Sequence, residues 1–70
     1  MKLGARNQLK GTITSIEKGT VNGIVTIRIA GGDEVVANLS VGSIEELGLK
    51  VGQEAYAVFK AMNVIVGIDD

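Results

Sequence analysis

Seventy residues carrying seven basic and eight acidic side chains, a net charge of -1, no cysteine and no histidine form one domain, residues 1–70. They lack disulfides, imidazole or thiolate metal sites and thiol catalysis. A chain this short buries only about 60% of the surface its unfolded form exposes, so self-association is the expected source of extra stability. The near-balance of charge gives no long-range field for an anion or a nucleic acid, so any anion site must be built locally.

Met1 to Gln8 lacks the apolar run of a signal peptide, and no segment approaches about 18 consecutive apolar residues, which reads as a soluble cytoplasmic chain with no membrane partner. From Gln8 to Ile16, Leu9, Gly11 and Ile13 alternate with Lys10, Thr12 and Thr14, which predicts a first strand ending in a Glu17-Lys18-Gly19-Thr20 turn. In the second strand Val25, Ile27 and Ile29 oppose Thr26 and Arg28, and Ala30-Gly31-Gly32-Asp33 is a hairpin connection. The third runs from about Glu34 to Val41, with Val35, Ala37 and Leu39 on one face. Ser43 to Gly48 reads as a one- or two-turn helix, with Ser43 as cap, Glu46 as its capping-box partner and Gly48 closing the end. After a Val51-Gly52-Gln53 turn, a fourth strand places Ala55, Ala57 and Phe59 opposite Tyr56, Val58 and Lys60. Met62-Asn63 interrupts the run, Val64 to Ile68 reads as a fifth strand, and Asp69-Asp70 as a solvated tail. The fold class is therefore all-β, a five-stranded OB-fold-like Greek-key barrel with one short helix between strands 3 and 4.

Few residues offer chemistry. Without histidine or cysteine, carboxylates and lysines are the remaining acid–base groups, and no enzyme is expected. Glu45-Glu46 occupies adjacent helix positions that do not face each other and is read as first-turn charge serving the cap and dipole. Gly31-Gly32-Asp33 joins two strands, whereas phosphate-cradling loops lead from a strand into a helix. A single-stranded nucleic-acid binder on an OB barrel needs stacking aromatics in a basic groove; Tyr56 and Phe59 lie on opposite strand faces, and no nucleic-acid partner is expected. Two short basic segments remain: Gly4-Ala5-Arg6-Asn7 before the first strand and Phe59-Lys60-Ala61-Met62 at the end of the fourth, with Lys60 facing away from a buried Phe59.

Gly4-Ala5-Arg6-Asn7-Gln8-Leu9-Lys10-Gly11, Lys18-Gly19-Thr20-Val21, Ser43-Ile44-Glu45-Glu46-Leu47-Gly48 and Val58-Phe59-Lys60-Ala61, in that order, resemble the molbindin or Mop family of molybdate-binding proteins. The likeness spans nearly the whole chain. It implies an OB-type barrel that assembles as a homohexamer, a trimer of dimers, and holds molybdate or tungstate between subunits for molybdenum storage or homeostasis, with no cofactor besides that ligand. Carried over, Arg6 and Lys60 supply charge, backbone N–H groups around Ala5, Arg6 and Ala61 donate to the oxyanion, and Gly4 and Asn7 complete the first segment. A second pocket would draw on Lys18, Gly19, Thr20 and Val21, with Ser43 at the helix start. Gly4 and Ala61 stand where members often carry Ser, so two hydroxyl donors are absent. A non-binding oligomerisation module is thus an alternative reading, beside the nucleic-acid binder. A buried tetrahedral dianion must recover its hydration through many donors, and a site of donors alone leaves the O–H of hydrogen phosphate unpaired.

Overall fold

Alternating apolar and polar residues build four antiparallel strands, β1 (Asn7–Lys18), β2 (Asn22–Ile29), β3 (Glu34–Ser40) and β4 (Glu54–Phe59). One helix, α1 (Val41–Leu47), lies between β3 and β4. The computed structural model describes residue 1 and residues 3–69; of the solvated tail expected at Asp69-Asp70, Asp69 is exposed and Asp70 lies outside the described residues. The strands hydrogen-bond in the order β3-β2-β1-β4, a curled sheet whose two outer strands, β3 and β4, are each paired on one side.

β1 is the spine of the sheet, pairing with β4 through its first half (Asn7 opposite Phe59 to Thr12 opposite Glu54) and with β2 from Gly11 onward. It extends past the expected turn, since Glu17 and Lys18 still pair with Ile24 and Gly23, so the turn begins only at Gly19. Between Ile13 and Ser15 the register shifts. One residue added on one strand of a pair bends that strand and inverts its alternation, which is why Ile13 and Ile16, three apart, both turn inward. At Gly11 β1 passes so near β2 that any Cβ would run into the Arg28 carbonyl oxygen.

Ile13, Val25, Ile27 and Ala57 from the sheet and Ile44 from α1 are the buried core, flanked by half-buried Ile16, Ile29, Val35, Leu39, Leu49 and Ala55. The expected inward faces of β2, β3 and β4 are the observed ones, and the hairpin between β2 and β3 turns on Gly31 and Gly32 at φ 97° and 94°. Phe59, expected to be buried, is half-buried because it ends β4 at the open edge of the sheet.

The helix begins three residues before the expected cap. Ser40, not Ser43, is its N-cap: extended at φ -66° and ψ 148°, it accepts the Ser43 N–H at 3.0 Å, and its hydroxyl donates to the Ser43 hydroxyl at 2.8 Å. The Val41 N–H, left without a partner inside the helix, donates to the Val21 carbonyl at 2.8 Å, so the β1–β2 turn anchors the first turn of α1. Glu45 and Glu46 consequently stand in the last turn, exposed, and serve neither cap nor dipole. Gly48 closes the helix as expected, in the left-handed region at φ 64°, its N–H donating to the Glu45 carbonyl while the Leu49 N–H returns to Ile44.

The fifth strand does not form within the chain. Beyond β4 a single 3₁₀ turn spans Ala61–Asn63, and residues 64–69 continue without a ladder partner. Val64 to Ile68 has the composition of a strand, but a strand needs an edge to pair with; Asn63 and Val64 line a groove with β3 and β4 residues, and the segment forms no ladder there.

Candidate functional site

The two basic segments meet at one end of the β1–β4 ladder. Because Asn7 pairs with Phe59, the residues just before β1 and just after β4, Arg6 and Lys60, leave the sheet side by side. The strand pairing thus joins two stretches more than fifty positions apart in sequence, which a one-dimensional reading treats as separate.

Gly4, Arg6, Lys60 and Ala61 are exposed, whereas Ala5 and Asn7 are half-buried. The segment before β1 is held locally by the Gln8 side-chain amide, whose Nε2 donates to the Ala5 carbonyl at 3.1 Å. That bond occupies an acceptor and leaves the Ala5 N–H uninvolved. On the other side, the 3₁₀ turn is closed by the Asn63 N–H on the Lys60 carbonyl at 3.0 Å and the Val64 N–H on the Ala61 carbonyl at 3.2 Å, so the turn does not use the N–H groups of Ala61 and Met62. Nothing fills the space over Gly4, where a Cβ would meet no atom within 4 Å.

The charges have the same character. Lys10 pairs with Glu54 at 3.3 Å and Arg28 with Glu34 at 3.2 Å, both on the sheet surface. Among the described residues, Arg6 and Lys60 have no carboxylate within 4.0 Å. One end of the sheet therefore presents a guanidinium, an ammonium and backbone donors with no acidic side chain against them, an arrangement suited to an anion and unsuited to a cation.

The residues of the expected second pocket lie at the opposite end of β1. Lys18 and Gly19 line a concavity of about 330 Å³ together with Glu17, Asn22, Gly23, Ile24 and Asn38. Thr20 and Val21 are exposed on the turn, which the Val21–Val41 hydrogen bond ties to the start of α1. Ser43 is drawn into the helix cap by Ser40, its hydroxyl oxygen accepting the Ser40 O–H there. Sequence reasoning missed Asn22 and Asn38, whose cross-strand placement follows only from the β2–β3 register.

A model of the TOBE domain matches residues 4–66, which is most of the chain. A probable molybdenum-pterin-binding protein of Haemophilus influenzae is 52% identical over 69 residues, covering 99% of this chain and all of that protein. The chain belongs to the molbindin, or Mop, family of TOBE domains. Another member, molybdenum-pterin-binding protein 3 of Clostridium pasteurianum, is 47% identical over 66 residues, 94% of this chain and 97% of its own. Among solved structures, MopII of Clostridium pasteurianum superposes with a TM-score of 0.91 at 42% identity, covering 96% of this chain and the whole of that one. A cytoplasmic molybdate-binding protein, ModG, solved with molybdate bound, superposes at 0.93 and 46% identity, covering 99% of this chain and 49% of its own. The Mop fold is thereby established for this chain, with its curled antiparallel sheet and single short helix. No helix among the described residues is long and apolar enough to cross a membrane.

Proposed function

We propose that this Mop domain binds molybdate, or the isosteric tungstate, without transforming it, and that it serves molybdenum storage or homeostasis in the cytoplasm. The reading rests on one observation above the others, the side-by-side exit of Arg6 and Lys60 from the β1–β4 ladder with no carboxylate beside them. The names of its relatives, molybdenum-pterin-binding and molybdate-binding proteins, supply the ion.

In one chain this corner is exposed, and exposed charges hold an anion weakly because water and salt screen them. Burial between copies, in a homohexamer built as a trimer of dimers, strengthens each contact by removing water, with the dianion's hydration replaced by charge-assisted bonds to Arg6, Lys60 and the N–H groups of Ala5, Arg6 and Ala61. Gly4 and Asn7 complete the wall. The Lys18–Val21 turn with Ser43 is the corresponding candidate for a second pocket. To the extent that the pocket presents donors alone, it disfavours hydrogen phosphate, whose O–H would go unpaired.

Titration calorimetry with molybdate, tungstate and sulfate tests the reading. Saturable heat with the two larger oxyanions and little with sulfate is expected; no heat, or equal heat for all three, overturns it.

A further inference from the structure

The backbone that carries Arg6 is tied down by a single side chain. Residues 3–6 precede the β1–β4 ladder, and among the described residues no backbone hydrogen bond reaches them. Leu3, Gly4 and Arg6 are exposed and Ala5 is half-buried, so little packing fixes them either. What holds them is Gln8, an exposed β1 residue opposite Val58, whose Nε2 reaches back three positions to donate to the Ala5 carbonyl at 3.1 Å. The bond closes a loop across Arg6 and Asn7.

We propose that Gln8 is a positioning residue of the oxyanion corner, acting through the peptide unit that joins Ala5 to Arg6. In a planar trans peptide the C=O of one residue and the N–H of the next point in opposite directions, and no described peptide bond is cis. With the Ala5 carbonyl held by Gln8, the Arg6 N–H is turned away from Gln8 and kept free for an anion. Once released, the unit rotates about its two flanking single bonds, Ala5 ψ and Arg6 φ, and a half-turn sets the carbonyl oxygen where the N–H had been. A dianion then meets a partial negative charge in place of a donor. Being exposed, the bond adds little to the stability of the fold, because water competes for both partners. Its effect is on binding: it removes beforehand a freedom that the ligand would otherwise have to remove. The carboxamide suits this task, since it donates without bringing net charge to the corner, whereas an ionised carboxylate of the same length can only accept.

The inference rests on the proposed reading of this corner as an oxyanion site, and two variants separate the two. Gln8→Met keeps the length of the side chain and removes the donor. It should weaken molybdate binding by about three- to tenfold in calorimetry, the loss expected when the competent orientation is no longer the dominant one, with the melting temperature of the ligand-free protein unchanged. Gln8→Glu should weaken it at least as much. A second readout needs no ligand. In ¹⁵N relaxation the Arg6 amide should have an order parameter near that of rigid backbone, about 0.85, in the wild type and below about 0.6 in Gln8→Met, with the core strands unaltered. Wild-type affinity in Gln8→Met, or an Arg6 order parameter equal in the two proteins, overturns the inference and leaves the proposed function standing. Weaker binding accompanied by a lower melting temperature makes Gln8 a structural residue and overturns it as well. A wild-type chain that binds no oxyanion overturns the proposed function and this inference with it.

Discussion

Arg6 and Lys60 illustrate how little a residue's identity reveals before its neighbours are known. Each alone is an ordinary surface charge; brought together without a carboxylate, they make a local positive corner in a protein of net charge -1. Arg6→Ala and Lys60→Ala should each weaken molybdate binding by about tenfold or more, the usual weight of a charge-assisted hydrogen bond, with the circular dichroism spectrum unchanged. Unfolding by either variant would recast that side chain as structural. At Gly11 the expectation reverses: Gly11→Ala drives a methyl group against the Arg28 carbonyl, so it should destabilise the fold by roughly 1–3 kcal/mol in urea melts, as overpacking does. The alternating pattern set Gly11 on the same face as Leu9 and Ile13, but that position 11 must be glycine depends on how closely β1 passes β2.

At the scale of elements, α1 shows a local signal overridden by its surroundings. Ser43 with Glu46 is a sound capping box, yet Ser40 caps instead because β3 delivers it in the extended conformation an N-cap requires and the Val21 carbonyl takes the otherwise orphaned Val41 N–H. Ser40→Ala should therefore cost about 1 kcal/mol of stability, and Ser43→Ala, which leaves the cap bond to the Ser43 N–H intact, distinctly less, as read from thermal or urea unfolding. Equal costs would return the cap to Ser43. The helix exists chiefly to bring Ile44 over the core, above Gly23, and Ile44→Ala should cost about 2–5 kcal/mol.

For the molecule as a whole, the buried core is five side chains between a curled sheet and one short helix, which agrees with the marginal stability expected of seventy residues. An oxyanion bound only by the folded assembly must raise its melting temperature, by an amount that grows with ligand and protein concentration. A melting temperature indifferent to saturating molybdate would favour the non-binding module. The amino-acid order alone determined the four strands, the inward faces of β2, β3 and β4, the glycine hairpin, the closing Gly48 and the two basic segments, because the strands and faces depend on a two-residue alternation and the glycines on a turn's need for positive φ. It also marked Val64–Ile68 as strand-forming. What only the tertiary structure decided was the bulge after Ile13, the start of α1, the meeting of Arg6 with Lys60 and the missing partner of Val64–Ile68. All four are matters of register and of which edge lies within reach, and a strand pattern states that a segment will pair without stating with what.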